Sequence, residues 1–125
     1  MSPPAARPAD TASRLFGALA GLFGAGGVAG AALASHAAAG PASALALIAL
    51  AHAPVFLVFA AWPAQSRRSL AARGVLAAGT LGFVADMAMR LGLGFGLGPL
   101  APVFGTVMIA GWLFVGVDCA FRATR

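Results

Sequence analysis

The sequence predicts an all-α, polytopic membrane protein with four transmembrane helices in a small bundle. Three observations predict it. The 125 residues are 61% hydrophobic and 9% charged, with a mean hydropathy of +0.94, far outside the range of ordinary soluble domains. Four apolar stretches, 15–34, 44–62, 70–91 and 101–121, are each about long enough to cross a hydrocarbon core of ~30 Å at ~1.5 Å per residue. The charges, eight arginines and three aspartates, lie at or near the ends of those stretches. A basic balance distributed in this way reads as topology signals and anchors to anionic lipid, and it excludes a nucleic-acid role.

The chain divides into a tail, 1–14, and a membrane domain, 15–122. Proline, alanine and small polar residues dominate the tail, which is expected to be disordered and cytoplasmic. The first span is rich in small residues. Gly17, Gly21, Ala25 and Ala29 recur every four positions, and Gly26, Gly30 and Ala34 form a second row, so neighbouring helices can approach its backbone closely. This predicts that the first helix is the hub of the bundle. Its end, Ala32-Leu33-Ala34-Ser35, has the small-x-small form of a signal-peptidase site. The apolar region exceeds the ~7 to 15 residues of a usual signal peptide, and the small-residue rows serve only a helix that stays and packs, so retention is expected.

A link from Ser35 to Ser43, containing His36, Gly40 and Pro41, has turn chemistry. The second span carries His52 and Pro54, which removes a backbone hydrogen bond and predicts a kink. Trp62 suits an interface, and Pro63 stops the helix. After the polar link Gln65-Ser66-Arg67-Arg68 comes the third span, with Arg73 in its first turn expected to snorkel outward. The row Gly74, Ala78, Gly82 continues to Asp86. Residues 91–98 alternate with Gly92, Gly94, Gly96 and Gly98; a lone strand cannot satisfy its backbone in lipid, so a frayed helix end and a flexible link are expected. Pro99 and Pro102 open the fourth span, where Gly105 and Gly111 are further packing positions and Trp112 is too deep for an interface belt. Arginine counting sets the orientation. Arg7, Arg14, Arg67, Arg68, Arg73, Arg122 and Arg125 fall on one side and Arg90 on the other, which predicts that both termini are cytoplasmic.

The run Ala31-Ala32-Leu33-Ala34-Ser35-His36, the second span around His52, Gly79-Thr80, and Ala101-Pro102-Val103-Phe104-Gly105 leading to Ala110-Gly111-Trp112 resemble the bacterial inner-membrane family catalogued as domain of unknown function 423. The resemblance extends from Leu15 to Phe121. It implies four transmembrane helices in a bacterial inner membrane and carries no activity to transfer. Two departures matter. Val84-Ala85-Asp86-Met87-Ala88 stands where the family has a Ser-Gly-Ser-Leu-Tyr run, and Ala101-Pro102 stands where it commonly has Thr-Pro.

Intramembrane ionisable groups are costly and therefore candidates for function. Asp86 and Arg90 are four apart near the outer end of the third helix, and Asp118 and Arg122 repeat that spacing near the inner end of the fourth, so each pair can close on one helix face. His36 lies at the outer mouth. His52 is buried, and the carbonyl freed by Pro54 offers it an acceptor. Because Asp86 continues the small-residue row, a polar cluster of His52, Asp86, Arg90 and His36 in the outer half of the bundle is a candidate site. No metal and no cofactor is expected, since the histidines differ in depth and no cysteine or carboxylate pattern completes a ligand set. Cys119, the one cysteine, reads as a small packing residue. No glutamate, nucleophile elbow or phosphate loop is present, so the expected protein is not an enzyme. Two functions follow. One is a non-enzymatic protein acting by helix packing, in a homo-oligomer or as accessory to a larger complex in the bilayer. The other is a small transporter or channel subunit with a proton or cation relay at Asp86 and His52.

Overall fold

The computed structural model describes residues 10–36 and 40–122, the side chain of Arg122 excepted. It is all-helical apart from the links: α1 (Thr11–His36), α2 (Gly40–Ala61), α3 (Arg67–Leu93) and α4 (Leu100–Arg122) follow one another with no strand among the described residues. With 26, 22, 27 and 23 residues they are ~33 to 40 Å long, and all four are long and apolar enough to cross a membrane.

The helices start earlier than hydropathy alone predicts, and for α1 and α3 the reason is a capping group outside the apolar run. Asp10 Oδ1 accepts from the Ser13 N–H at 2.7 Å, a capping bond that starts α1 at Thr11, so residues 11–14 are helical and only 1–9 of the expected tail lie outside the described residues. That same N–H holds the Asp10 carboxyl below its ordinary range, so its contribution is full above the unfolded value and is lost as pH falls through the lowered one. α2 begins at Gly40, inside the expected link, with Pro41 in its first turn, where proline needs no N–H partner. Ser66 in extended backbone caps α3 through its Oγ to the Ser69 N–H at 3.1 Å, and Gly94 ends that helix at φ 75°, a left-handed conformation that favours glycine. α2 runs through Pro54 as one helix.

Consecutive helices are antiparallel neighbours. Along α1 and α2 the facing positions are Gly17 with Ala60, Gly24 with Ala53, Gly27 with Leu50 and Gly30 with Ala46; along α3 and α4 they are Leu76 with Gly111, Gly79 with Met108 and Gly82 with Phe104. The backbone of α1 approaches α2 alone, that of α4 approaches α3 alone, and α2 and α3 meet in the middle. The first helix is therefore not the hub. The reason lies in the helical period: a row spaced by four drifts around the cylinder, whereas the buried face of α1 follows Ser13, Phe16, Ala20, Phe23, Gly27 and Gly30, three and four apart. The core is aromatic, with Phe16 and Phe23 of α1 against Phe56 and Phe59 of α2, and Leu76 of α3 closing it. Phe16 stacks on Phe56 with centroids at 6.1 Å and meets Phe59 edge-on at 5.4 Å. The end that carries Arg14, Arg67 and Arg68 is termed the inner end.

Only some of the expected packing glycines make close contacts. A Cβ on Gly30 would lie 3.2 Å from both the Ala42 carbonyl and the Ala46 nitrogen, and one on Gly111 would lie 2.5 Å from Leu76 Cα. Gly82 admits the Phe104 ring, and Gly17 is in ordinary contact with Ala60. Gly21, Gly26, Gly74 and Gly105 face open space. Two glycines not singled out as packing positions are comparably tight: a Cβ on Gly27 would meet Leu50 Cγ at 2.6 Å, and one on Gly79 the Met108 nitrogen at 2.5 Å.

Substituting Gly79 or Gly111 with leucine should separate α3 from α4 and lower stability by at least ~1 to 3 kcal/mol, because the obstacle is backbone that no rotamer change relieves. Gly21→Leu should leave stability within ~0.5 kcal/mol. Thermal denaturation of the three variants in one mild detergent checks the contrast.

Candidate functional site

Most of the buried polar side chains are placed by the inward face of α3, which reads Ser69, Ala72, Arg73, Leu76, Gly79, Thr80 and Asp86. Thr80, fully buried, returns its hydroxyl to the Leu76 carbonyl at 2.8 Å. Two further polar members, Arg73 and Asp86, reach beyond their own helix.

Asp86 is fully buried. Its Oδ2 accepts from Arg90 Nε at 2.8 Å, and its Oδ1 accepts from the backbone N–H of Leu97, in the connection to α4. Gly96 lets the chain pass, since a Cβ there would lie 2.5 Å from Oδ1 and 2.7 Å from Arg90 Nε. The expected flexible link is therefore tied down: Gly94 caps α3, Gly96 crosses the carboxylate, and Gly98 at φ 58° turns the chain into α4.

At the other end of α3, Arg73 is buried and does not snorkel to the surface. Its Nη1 donates to the Phe59 carbonyl at 3.3 Å and to the Trp62 carbonyl, and its guanidinium lies 4.7 Å over the Phe59 ring. Carbonyls in the last turn of a helix lack intrahelical donors and carry the negative end of its dipole, so a cation from α3 completes α2. Sequence reasoning missed this role because a span starting at Leu70 puts Arg73 in its first turn, where an arginine looks like an interfacial anchor, whereas α3 starts at Arg67 and carries Arg73 deeper. The signal available was the absence of any basic residue in the last turn of α2.

His52, 5% exposed, faces a different neighbour from the one expected. Its Nδ1 is 2.8 Å from the Ile48 carbonyl, not from the Leu50 carbonyl that Pro54 leaves without its usual donor, and its Nε2 accepts from Trp112 Nε1 at 3.0 Å. A carbonyl only accepts and an indole N–H only donates, so the two bonds together fix a neutral imidazole with its proton on Nδ1. The depth follows from the true helix starts. His52 is twelve residues after Gly40 and Trp112 twelve after Leu100, so both sit ~18 Å below the outer ends of two parallel helices. Asp86 is seven residues from the end of α3, ~10 Å deep. Starting α2 at residue 44 places His52 too shallow and hides Trp112.

The candidate cluster thus resolves into separate units. Asp86 and Arg90 come together, and His52 bonds within α2 and to α4. His36 ends α1 on the exposed surface. No hydrogen bond or ion pair among the described residues joins His52 to Asp86. Asp118 is half-buried, and its pairing with Arg122 lies outside the described side chains. Cys119 is exposed, so its expected packing role is not met within one chain. No group of three ligating side chains among the described residues could hold a metal ion.

Fold and site together define a small, all-helical, four-span membrane protein whose buried polar groups tie its own helices to one another. No protein-family model, curated protein or solved structure matches the chain.

Double-mutant cycles should report these units. His52→Ala and Trp112→Phe should couple by roughly 0.6 kcal/mol and at most ~1.7, the range of hydrogen bonds between transmembrane helices. Asp86→Ala should couple to Arg90→Ala and add to His52→Ala within ~0.5 kcal/mol. Arg73→Met should cost about 1 to 3 kcal/mol by leaving the α2 carbonyls without their donor, with Arg73→Lys milder. Equilibrium unfolding in detergent measures each.

Proposed function

We propose that this chain is a multi-pass protein of a bacterial inner membrane, with both termini cytoplasmic, that acts without catalysis by helix packing, as a homo-oligomer or as an accessory to a larger membrane complex. The family resemblance supports the membrane, and the arginine asymmetry supports the orientation. The observation that carries the activity is a groove between α1 and α3 that the chain leaves unfilled. Toward the inner end it encloses about 680 Å³, walled by Leu15, Phe16, Leu19, Leu70, Gly74 and Ala77. Toward the outer end it encloses about 320 Å³, walled by Gly26, Ala29, Gly30, Ala88, Leu91 and Gly92. Small residues along such a wall let another helix approach, which is the principal means of association in lipid, where apolar surface alone gives no drive. The relay reading lacks a path: Asp86 and His52 each hold intramolecular partners, and their depths differ by ~8 Å.

Native mass spectrometry of protein released from lipid nanodiscs tests the association. Wild type should appear as an oligomer or with a stoichiometric membrane partner, and Gly26→Leu with Gly74→Leu should abolish that assembly while the isolated chain keeps its melting temperature. Unchanged assembly in the double variant would refute the reading. Cytoplasmic reporters should be active when fused after Arg14, Ser66 and Arg125, and periplasmic ones after Gly40 and Gly98; periplasmic activity at Arg125 would overturn the orientation.

A further inference from the structure

A second surface feature points to a small ligand instead of a helix. At the inner end, between α3 and α4, lies a crevice of about 190 Å³ lined by Arg68, Ala71, Ala72, Phe114 and Val117. On α3 the wall descends from Arg68 through Ala71 and Ala72; on α4 it runs from Val117 to Phe114, and the Arg68 guanidinium lies 5.6 Å over the ring of Phe121, one turn beyond Val117. Each strip uses positions three or four apart, so it occupies one face of its helix. Its volume is several times that of a water and far below that of a helix, so the crevice suits one unbranched apolar chain. Phe114 and Val117 are 54% and 43% exposed, and the crevice therefore opens sideways to lipid.

Charge decides which lipid. Arg67 and Arg68 occupy the first turn of α3, where no acidic residue is present, and both are exposed. Two cations there oppose the helix dipole, whose N-terminal end is itself positive, so an anion beside them relieves both repulsions. Asp118, half-buried on α4, is the one described carboxylate on the inner half of this hairpin, and the two arginines outnumber it. Arginine is also the side chain whose planar fork matches phosphate oxygens.

We propose that this crevice binds one anionic phospholipid, its phosphate held by Arg67 and Arg68 and the upper part of one acyl chain lying along Ala71, Phe114 and Val117. The site is independent of the α1/α3 groove and of whatever fills it. A phosphate headgroup here is held by charge and the chain by shape, so both are needed for selectivity over a zwitterionic lipid with the same tails.

The test uses the full chain in detergent supplemented with phosphatidylglycerol or with phosphatidylcholine of identical acyl composition, read by native mass spectrometry and by melting temperature. Wild type should retain one phosphatidylglycerol per protomer and melt several degrees higher with it than with phosphatidylcholine. Arg67→Gln with Arg68→Gln should lose the retention and the difference in melting. Ala71→Phe and Val117→Trp, both at exposed positions, should block the crevice and also lose the retained lipid, while melting as wild type does in phosphatidylcholine. Equal retention of the two lipids by wild type would overturn the proposal, as would phosphatidylglycerol retention surviving either the arginine or both crevice substitutions. A melting shift produced by inorganic phosphate alone would equally overturn it, since the chain would then play no part.

Discussion

The arrangement depends on a constraint that lipid imposes and water does not: every backbone N–H and C=O within the hydrocarbon must find a partner in the protein. Within a helix this is automatic; at helix ends and links it is not. α3 meets the demand for its neighbours from both ends. Its Arg73 reaches the closing carbonyls of α2, and its Asp86 takes the Leu97 N–H that precedes α4. Each charge is therefore set against a backbone group of complementary polarity, and the desolvation that makes intramembrane charge costly is offset by a bond that would otherwise be missing. A helix with Arg73 and Asp86 on one inward face is thereby fixed in rotation and in height against α2 and α4 simultaneously.

Glycine does the complementary work between helix shafts. Gly27 and Gly30 bring α1 onto α2, and Gly79, Gly82 and Gly111 bring α3 onto α4, so the chain consists of two closely packed antiparallel hairpins. Between the hairpins the contact is of another kind: Leu76 of α3 closes the aromatic core of the first hairpin, and Arg73 lies over Phe59 at the inner end. α4 stands farthest out, with Gly111 its one buried residue among those described. What reaches from α2 across to it is a hydrogen bond between side chains 60 positions apart, His52 to Trp112.

The existence, type and order of the four helices were legible in hydropathy, since nothing else in the chain is long and apolar enough to compete. The pairing of Asp86 with Arg90 was legible in their spacing. Which glycines matter was half legible: Gly30, Gly82 and Gly111 were singled out, while Gly27 and Gly79 were passed over because they break the row of four. A real buried face alternates steps of three and four, so a row of fours runs off it within a few turns and ends at open positions such as Gly21 and Gly74. The partners of His52 and Arg73 were not legible, for both depend on helix boundaries. Hydropathy starts α2 at the first sustained apolar residue, but the helix already runs from Gly40 with Pro41 in its first turn, and a shift of four residues displaces everything on α2 by ~6 Å relative to its neighbours.

The same shift changes what the polar residues mean. A buried histidine beside an aspartate would form a pair able to share a proton, and its protonated state would be stabilised by the carboxylate. A buried histidine between a carbonyl and an indole N–H has one proton to give and one lone pair to offer, and both are used. Adding a proton to Nε2 would set two donors against each other at 3.0 Å, and moving the proton from Nδ1 would set two acceptors against each other at 2.8 Å. Either event breaks the bond to Trp112 or the bond to Ile48. An ionisable residue in the middle of a membrane is thus as compatible with a fixed structural tie as with transport, and what separates the two is whether its neighbours can exchange protons. Here Trp112 and a backbone carbonyl cannot, and the histidine's chemistry is directed to holding α4 against α2.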